Sequence, residues 1–182
     1  MISETKPNLL QYFWQVTYAH TIAWFAAGAF AMFFMNYAEL FEVPPLSHFM
    51  RPTDSPIVSL AMILQMLRGM LIALFILPLR KAFFEENHGL IKLGIITVGF
   101  FYVCTFGPGI GSFDGYIFTT LPVFIHLVGL PEMILYVLSF VGILHISHKY
   151  AHKKAMTIIP IILITLIGYI SISGFMTALN QG

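Results

Sequence analysis

Arg68 and Glu132 each lie near the middle of a long apolar run, where an ionised side chain is costly and is ordinarily paired. Gln65 stands one turn before Arg68, and Tyr136 and Ser139 follow Glu132 on its helical face, so each charge belongs to a polar stripe. Helical rise puts Arg68 about 18 Å and Glu132 about 12 Å below the outer ends of their runs, near enough in depth to meet as an ion pair. Gly129 and Pro131, beside Glu132, predict a kink that frees backbone carbonyls, as in the broken helices of transporters. The chemistry expected is a polar cavity at the membrane midplane that binds an amphiphilic or anionic small molecule, or relays a proton. Arg68 would hold the anionic group, Glu132 would neutralise Arg68 in the empty site, and Gln65 and Tyr136 would orient the ligand. His126, nearer the outer leaflet, is a further ligand-binding candidate. The plainer alternative is a buried ion pair that only fixes helix register, as in a scaffold or assembly subunit.

A second constellation falls at the far end of the Glu132 run. His145, His148 and His152 are spaced i, i+3 and i+7, one face of a helix that continues through Tyr150. The preceding inner loop offers Glu85, Glu86 and His88, and imidazoles with carboxylates suit zinc or a pair of irons. The pattern loosely resembles the histidine boxes of membrane desaturases and hydroxylases. That resemblance implies a metalloenzyme acting on lipid, with His145, His148, His152, His88 and Glu85 as ligands. It departs from those boxes in having fewer histidines and in placing Lys149 among them. The alternative without metal is a basic helix end, where histidine and lysine are favourable against the helix dipole. No cofactor is specified by either reading.

Residues 107–115, GPGIGSFDG, are glycine-rich but lack the Gly-Lys-Ser/Thr ending of a phosphate-binding loop, so a tight or re-entrant turn is expected. Ser112 with His126 lacks the Gly-x-Ser context of a hydrolase nucleophile.

These residues need a frame, and composition indicates its type. Of 182 residues, 58% are hydrophobic and 9% charged; mean hydropathy is +0.86. Soluble domains carry about 25% charged residues. The fold expected is all-α, a polytopic integral membrane protein forming one domain over residues 1–182, in a cell membrane such as a bacterial inner membrane. Five transmembrane helices are read, at about Leu10 to Asn36, Pro56 to Leu79, Gly89 to Phe106, within Tyr116 to Ser147, and Met156 to Leu179. Thr53, Asp54 and Ser55 before Pro56 mark a helix start. The fourth run would reach about 45 Å as one helix, longer than the hydrocarbon core, and Pro122 is the expected break. MISETKPN is not basic and the apolar run behind it is too long for a short cleaved signal, so a retained first span is expected. Prolines 44, 45 and 52 mark the connection from Tyr37 to Ser55 as an ordered cap.

Basic residues stay on the cytoplasmic side of short loops. With the N-terminus cytoplasmic, that side receives Lys6, Arg80, Lys81, Lys92, Lys149, Lys153 and Lys154, against Arg51 outside, and the C-terminus is extracytoplasmic. A net charge of +1 without a basic stripe gives nucleic acid no footing, while membrane lipid is an expected partner. Cys104 alone builds no disulfide. Ala19, Ala23, Ala27 and Ala31 form a line of small side chains for close helix packing, expected against a span of the same chain, such as the fifth with Gly168, Ser171 and Gly174. The alternative use of that line is a homo-oligomer interface.

Overall fold

The computed structural model describes residues 8–105 and 107–181, and these form helices and connections with no strand among them. Lys6 and the end of the third predicted span at Phe106 lie outside the described residues. Four helical stretches are long and apolar enough to cross a membrane: Leu9–Phe34, Pro56–Phe84, Val123–Lys149 and Ala155–Asn180. The first is α1 (Leu9–Phe34), started by Asn8, whose side chain accepts a hydrogen bond from the Gln11 N–H. A left-handed turn at Asn36 leads to the short α2 (Tyr37–Glu42), and the proline-marked connection folds over a fully buried Leu46. The second stretch begins with α3 (Pro56–Ile76), whose Pro56 occupies the first turn as expected. It tightens to a 3₁₀ turn at Leu77–Leu79, where Pro78 has no N–H for the α ladder, and resumes as α4 (Arg80–Phe84).

The third predicted span is shorter than the others. It consists of α5 (Gly89–Val98) and one π-helical turn at Gly99–Val103, closed by the Cys104 N–H on the Gly99 carbonyl. The fourth run is interrupted as its proline foretells. After α6 (Phe113–Phe118) the chain is extended at Pro122, continues as α7 (Val123–Val128), and passes through Gly129 into α8 (Leu130–Lys149). The Gly129 carbonyl still accepts from the Met133 N–H at 3.0 Å, so it is not freed as the kink predicted. The last stretch is α9 (Ala155–Gln181).

Directions follow from matched contacts. Tyr12 and His20 of α1 bond Ala73 and Gln65 of α3, in antiparallel order, and a Cβ on Gly69 would stand 2.9 Å from the Thr17 Cα, so that glycine lets the two backbones close. Gln15 and His20 of α1 reach Ser147 and Tyr136 of α8, again antiparallel. Ser171 of α9 donates to the Ser59 carbonyl of α3 at 2.6 Å. Gly94 of α5 packs beside Val137 and Val141 of α8, and Tyr102 beyond it bonds the His126 carbonyl, so α5 and its π turn return the chain from the α4 end to the α7 end. The helix order therefore places Arg80, Lys81, Lys149, Lys153 and Lys154 at one end and Glu39, Glu42 and Asp54 at the other.

The hub is α1. It packs chiefly against α3 and α8 and only slightly against α9, while α3 and α8 hardly touch each other. Ala19, Ala23, Ala27 and Ala31 are all fully buried within this chain. The expected partner, α9, is corrected by the packing: its Ser171 and Gly174 lie against Ser59 of α3 instead. Gly69 meets Thr17 and His20, so α3 closes on that side of α1, and α9 packs on α3.

Candidate functional site

Near the centre of α1, His20 is 1% exposed and uses both ring nitrogens. Nδ1 lies 2.7 Å from the Tyr136 hydroxyl on α8, and Nε2 lies 3.0 Å from Gln65 Oε1 on α3. Tyr136 stacks on Phe140, and the His20 ring meets both rings edge-on, which fixes its plane. Three long helices thus meet through one imidazole at mid-span. Two of the predicted residues, Gln65 and Tyr136, come together here. His20, which lies beside the alanine line, is the group that joins them.

The predicted Arg68–Glu132 ion pair is not formed. Glu132, in the first turn of α8, accepts the Tyr37 hydroxyl of α2 at 2.7 Å, and Arg68 has no carboxylate within ion-pair distance among the described residues. The reason is the placement of α1 between the two helices, which keeps α3 and α8 apart. Arg68 is exposed on α3, one turn beyond Gln65, and lies within electrostatic reach of His20 and Tyr136. Here Gln65, His20 and Tyr136 are joined by hydrogen bonds, with Arg68 exposed beside them. Clefts lie at the ends of the bundle: one of about 450 Å³ beside Asp54, Ser59 and Thr177, another of about 620 Å³ beside Asn8, Arg80 and Lys81. Burial, reinforced by the Glu132 carboxylate that it bonds, pushes the Tyr37 phenol above the ordinary tyrosine range.

His126 is also 1% exposed but serves the glycine-rich turn rather than the His20 cluster. Its Nδ1 accepts the Gly111 N–H at 3.1 Å, its Nε2 lies 3.4 Å from the Thr119 hydroxyl, and Tyr116 stacks on its ring. Ser112 donates to the Gly109 carbonyl at 2.7 Å and caps α6 by accepting the Gly115 N–H at 3.0 Å. The tight turn is as expected: Gly107 and Gly111 have positive φ, and a Cβ at Gly115 would collide with the Gly109 carbonyl.

The histidine face is corrected as well. Helix α8 ends at Lys149 with Tyr150 as its cap, so His152 leaves the face on which His145 and His148 stand. His148 packs on Phe84, and His88 occupies a left-handed position that starts α5. Among the described residues no group of three or more His, Cys, Asp or Glu is placed to hold a metal ion, so His145, His148, His152, His88 and Glu85 do not form the expected set.

The signal for His20 was present in the sequence as a polar residue at the same depth as Gln65 and Tyr136, but its helical partners are more than 40 positions away and only packing selects them. Tyr37 was counted within the outer cap, and nothing local connects it with Glu132. Compared with known proteins, the chain matches no family model, no curated protein and no solved structure.

Proposed function

We propose that this multi-pass membrane protein binds the polar head of an amphiphilic or anionic small molecule at its midplane cluster, with Arg68 as the charge that meets it and Gln65, Tyr136 and His20 around it. The observation that carries this reading is Arg68 itself. It is exposed near the centre of an apolar helix, beside a hydrogen-bonded cluster and with no carboxylate within ion-pair distance among the described residues. A guanidinium at that depth is costly until an anion or a set of acceptors meets it. The full chain extracted in a mild detergent is expected to carry a bound amphiphile in native mass spectrometry, and Arg68→Met is expected to lose it. Identical bound species in both would overturn the reading.

Proton relay is the second reading. It is supported by the hydrogen-bonded run Tyr136, His20, Gln65 and by the Tyr37–Glu132 contact one turn above Tyr136. Dye-reported proton flux in vesicles, lost in His20→Phe, is its test. The sidedness that goes with both is five crossings with a cytoplasmic N-terminus, supported by the basic residues gathered at one end of the helices. A reporter fused after Gly182 is expected to be active only outside the cytoplasm; activity inside would overturn the span count and the side assigned to each end.

A further inference from the structure

We infer that the occupant of this site is a lipid-soluble carboxylate, docked on Arg68 and the Gln65 amide, with His20 as the positioning residue that turns that amide toward it. The inference rests on the amphiphile reading and names its chemistry. Gln65 meets the His20 ring through Oε1, an acceptor, so the ring carries its hydrogen on Nε2. Nδ1 then has only a lone pair, and the Tyr136 hydroxyl donates to it. The Gln65 Nε2 group is left with two N–H donors and no partner among the described residues. Arg68, one turn further along the same face of α3, adds five donors and a positive charge. The Glu132 carboxylate, across α1 from them, is engaged by Tyr37.

The face therefore offers more donors than acceptors, and a positive charge, so the occupant that matches it supplies acceptor oxygens and a negative charge. Depth narrows the class. A phosphodiester headgroup keeps its charge and is held at the interface, whereas a carboxylic acid enters hydrocarbon as the neutral acid. On docking, its O–H bond breaks, the proton leaves to water, and the electron pair remains on the carboxylate against the guanidinium, a planar match that two N–H groups can fork. Its chain has an apolar track to follow in Leu64, Leu67 and Leu71, all exposed on α3.

The test uses the full chain in a non-ionic detergent, with oleate, oleyl alcohol and phosphatidylglycerol as probes in thermal unfolding and equilibrium binding. Oleate is expected to raise the unfolding temperature and to bind at least about tenfold tighter than the other two. Gln65→Glu, which replaces the amide donors by a carboxylate able to pair with Arg68, is expected to fold and to lose that preference; Arg68→Lys is expected to keep part of it. Equal binding of oleate and oleyl alcohol that disappears in Arg68→Met would overturn the carboxylate and leave the amphiphile reading standing. No binding of any probe would overturn both, and a preference for phosphatidylglycerol would overturn the depth argument. For His20, nitrogen-15 spectra of labelled histidine are expected to show the Nε2–H tautomer at this ring. The Nδ1–H tautomer would turn the Gln65 carbonyl outward and remove the positioning role.

Discussion

His20 and His126 are the same residue at the same burial, and they do different work because their partners come from different distances along the chain. His126 is satisfied by Gly111 and Thr119, close in sequence, and the result is a pinned turn with its polar groups spent. His20 is satisfied by side chains from two other long helices, and that arrangement leaves Arg68 and the Gln65 amide beside it uncommitted. A buried histidine is thus no indicator of a site by itself. What distinguishes the two regions is the surplus of donors next to one of them.

The largest break in this comparison is expected on the local side. Gly115→Ala forces a Cβ against the Gly109 carbonyl, a backbone group with little room to give, with the His126 ring 3.1 Å away. A loss of about 3 kcal/mol is expected in thermal or denaturant unfolding, of the size that strained or overpacked positions cost. A variant as stable as the parent would show that the turn is not the rigid element described here.

On the long-range side, His20→Leu leaves Gln65 Oε1 and the Tyr136 hydroxyl without partners at mid-span, and each orphaned group costs about 1 to 3 kcal/mol. A loss of about 2 to 3 kcal/mol is expected. Adding Gln65→Leu and Tyr136→Phe is expected to recover much of it, since no orphan then remains. The comparison sharpens if that recovered protein folds and no longer binds an amphiphile; retained binding would make the cluster structural only.

Tyr37→Phe removes a hydrogen bond to a carboxylate at a half-buried position and is expected to cost about 1 kcal/mol. Its pH dependence has a definite sign. The folded phenol titrates above the ordinary value of 10.0, so its contribution is complete below that value and is lost as pH rises above it. The parent is expected to lose stability beyond pH 10.0 by an amount that Tyr37→Phe does not lose. Parallel curves for the two proteins would mean that Tyr37 does not hold Glu132.

The smallest effect is expected at the basic helix end. Replacing His145, His148 and His152 together by Gln is expected to leave metal content unchanged and stability within about 1 kcal/mol, because His145 and His152 are exposed and His148 is only partly buried, against Phe84. Loss of a stoichiometric metal in that variant would restore the metal reading of this face.

Most of the helical frame was readable because membrane helices announce themselves through length and apolarity, which are properties of contiguous residues. The starts at Asn8 and Pro56, the break at Pro122 and the positive-φ glycines of the 107–115 turn are likewise local, set by one or two residues and their own backbone limits. The depth of Gln65, Arg68, Glu132 and Tyr136 was also available by counting along each run. Which of them meet was not. Depth restricts a side chain to a layer, and within a layer every helix face is an equal candidate until the helices are packed. Gly69, by letting α3 close on α1, and the wedge of α1 between α3 and α8 decided that His20 would join Gln65 to Tyr136, that Glu132 would turn to Tyr37, and that Arg68 would face outward alone. The sequence by itself determined the apolar helical frame, most of the helix starts and the position of each polar group along its helix, because these depend on neighbours in the chain; the tertiary structure alone decided the partners, because those depend on how close two backbones can come.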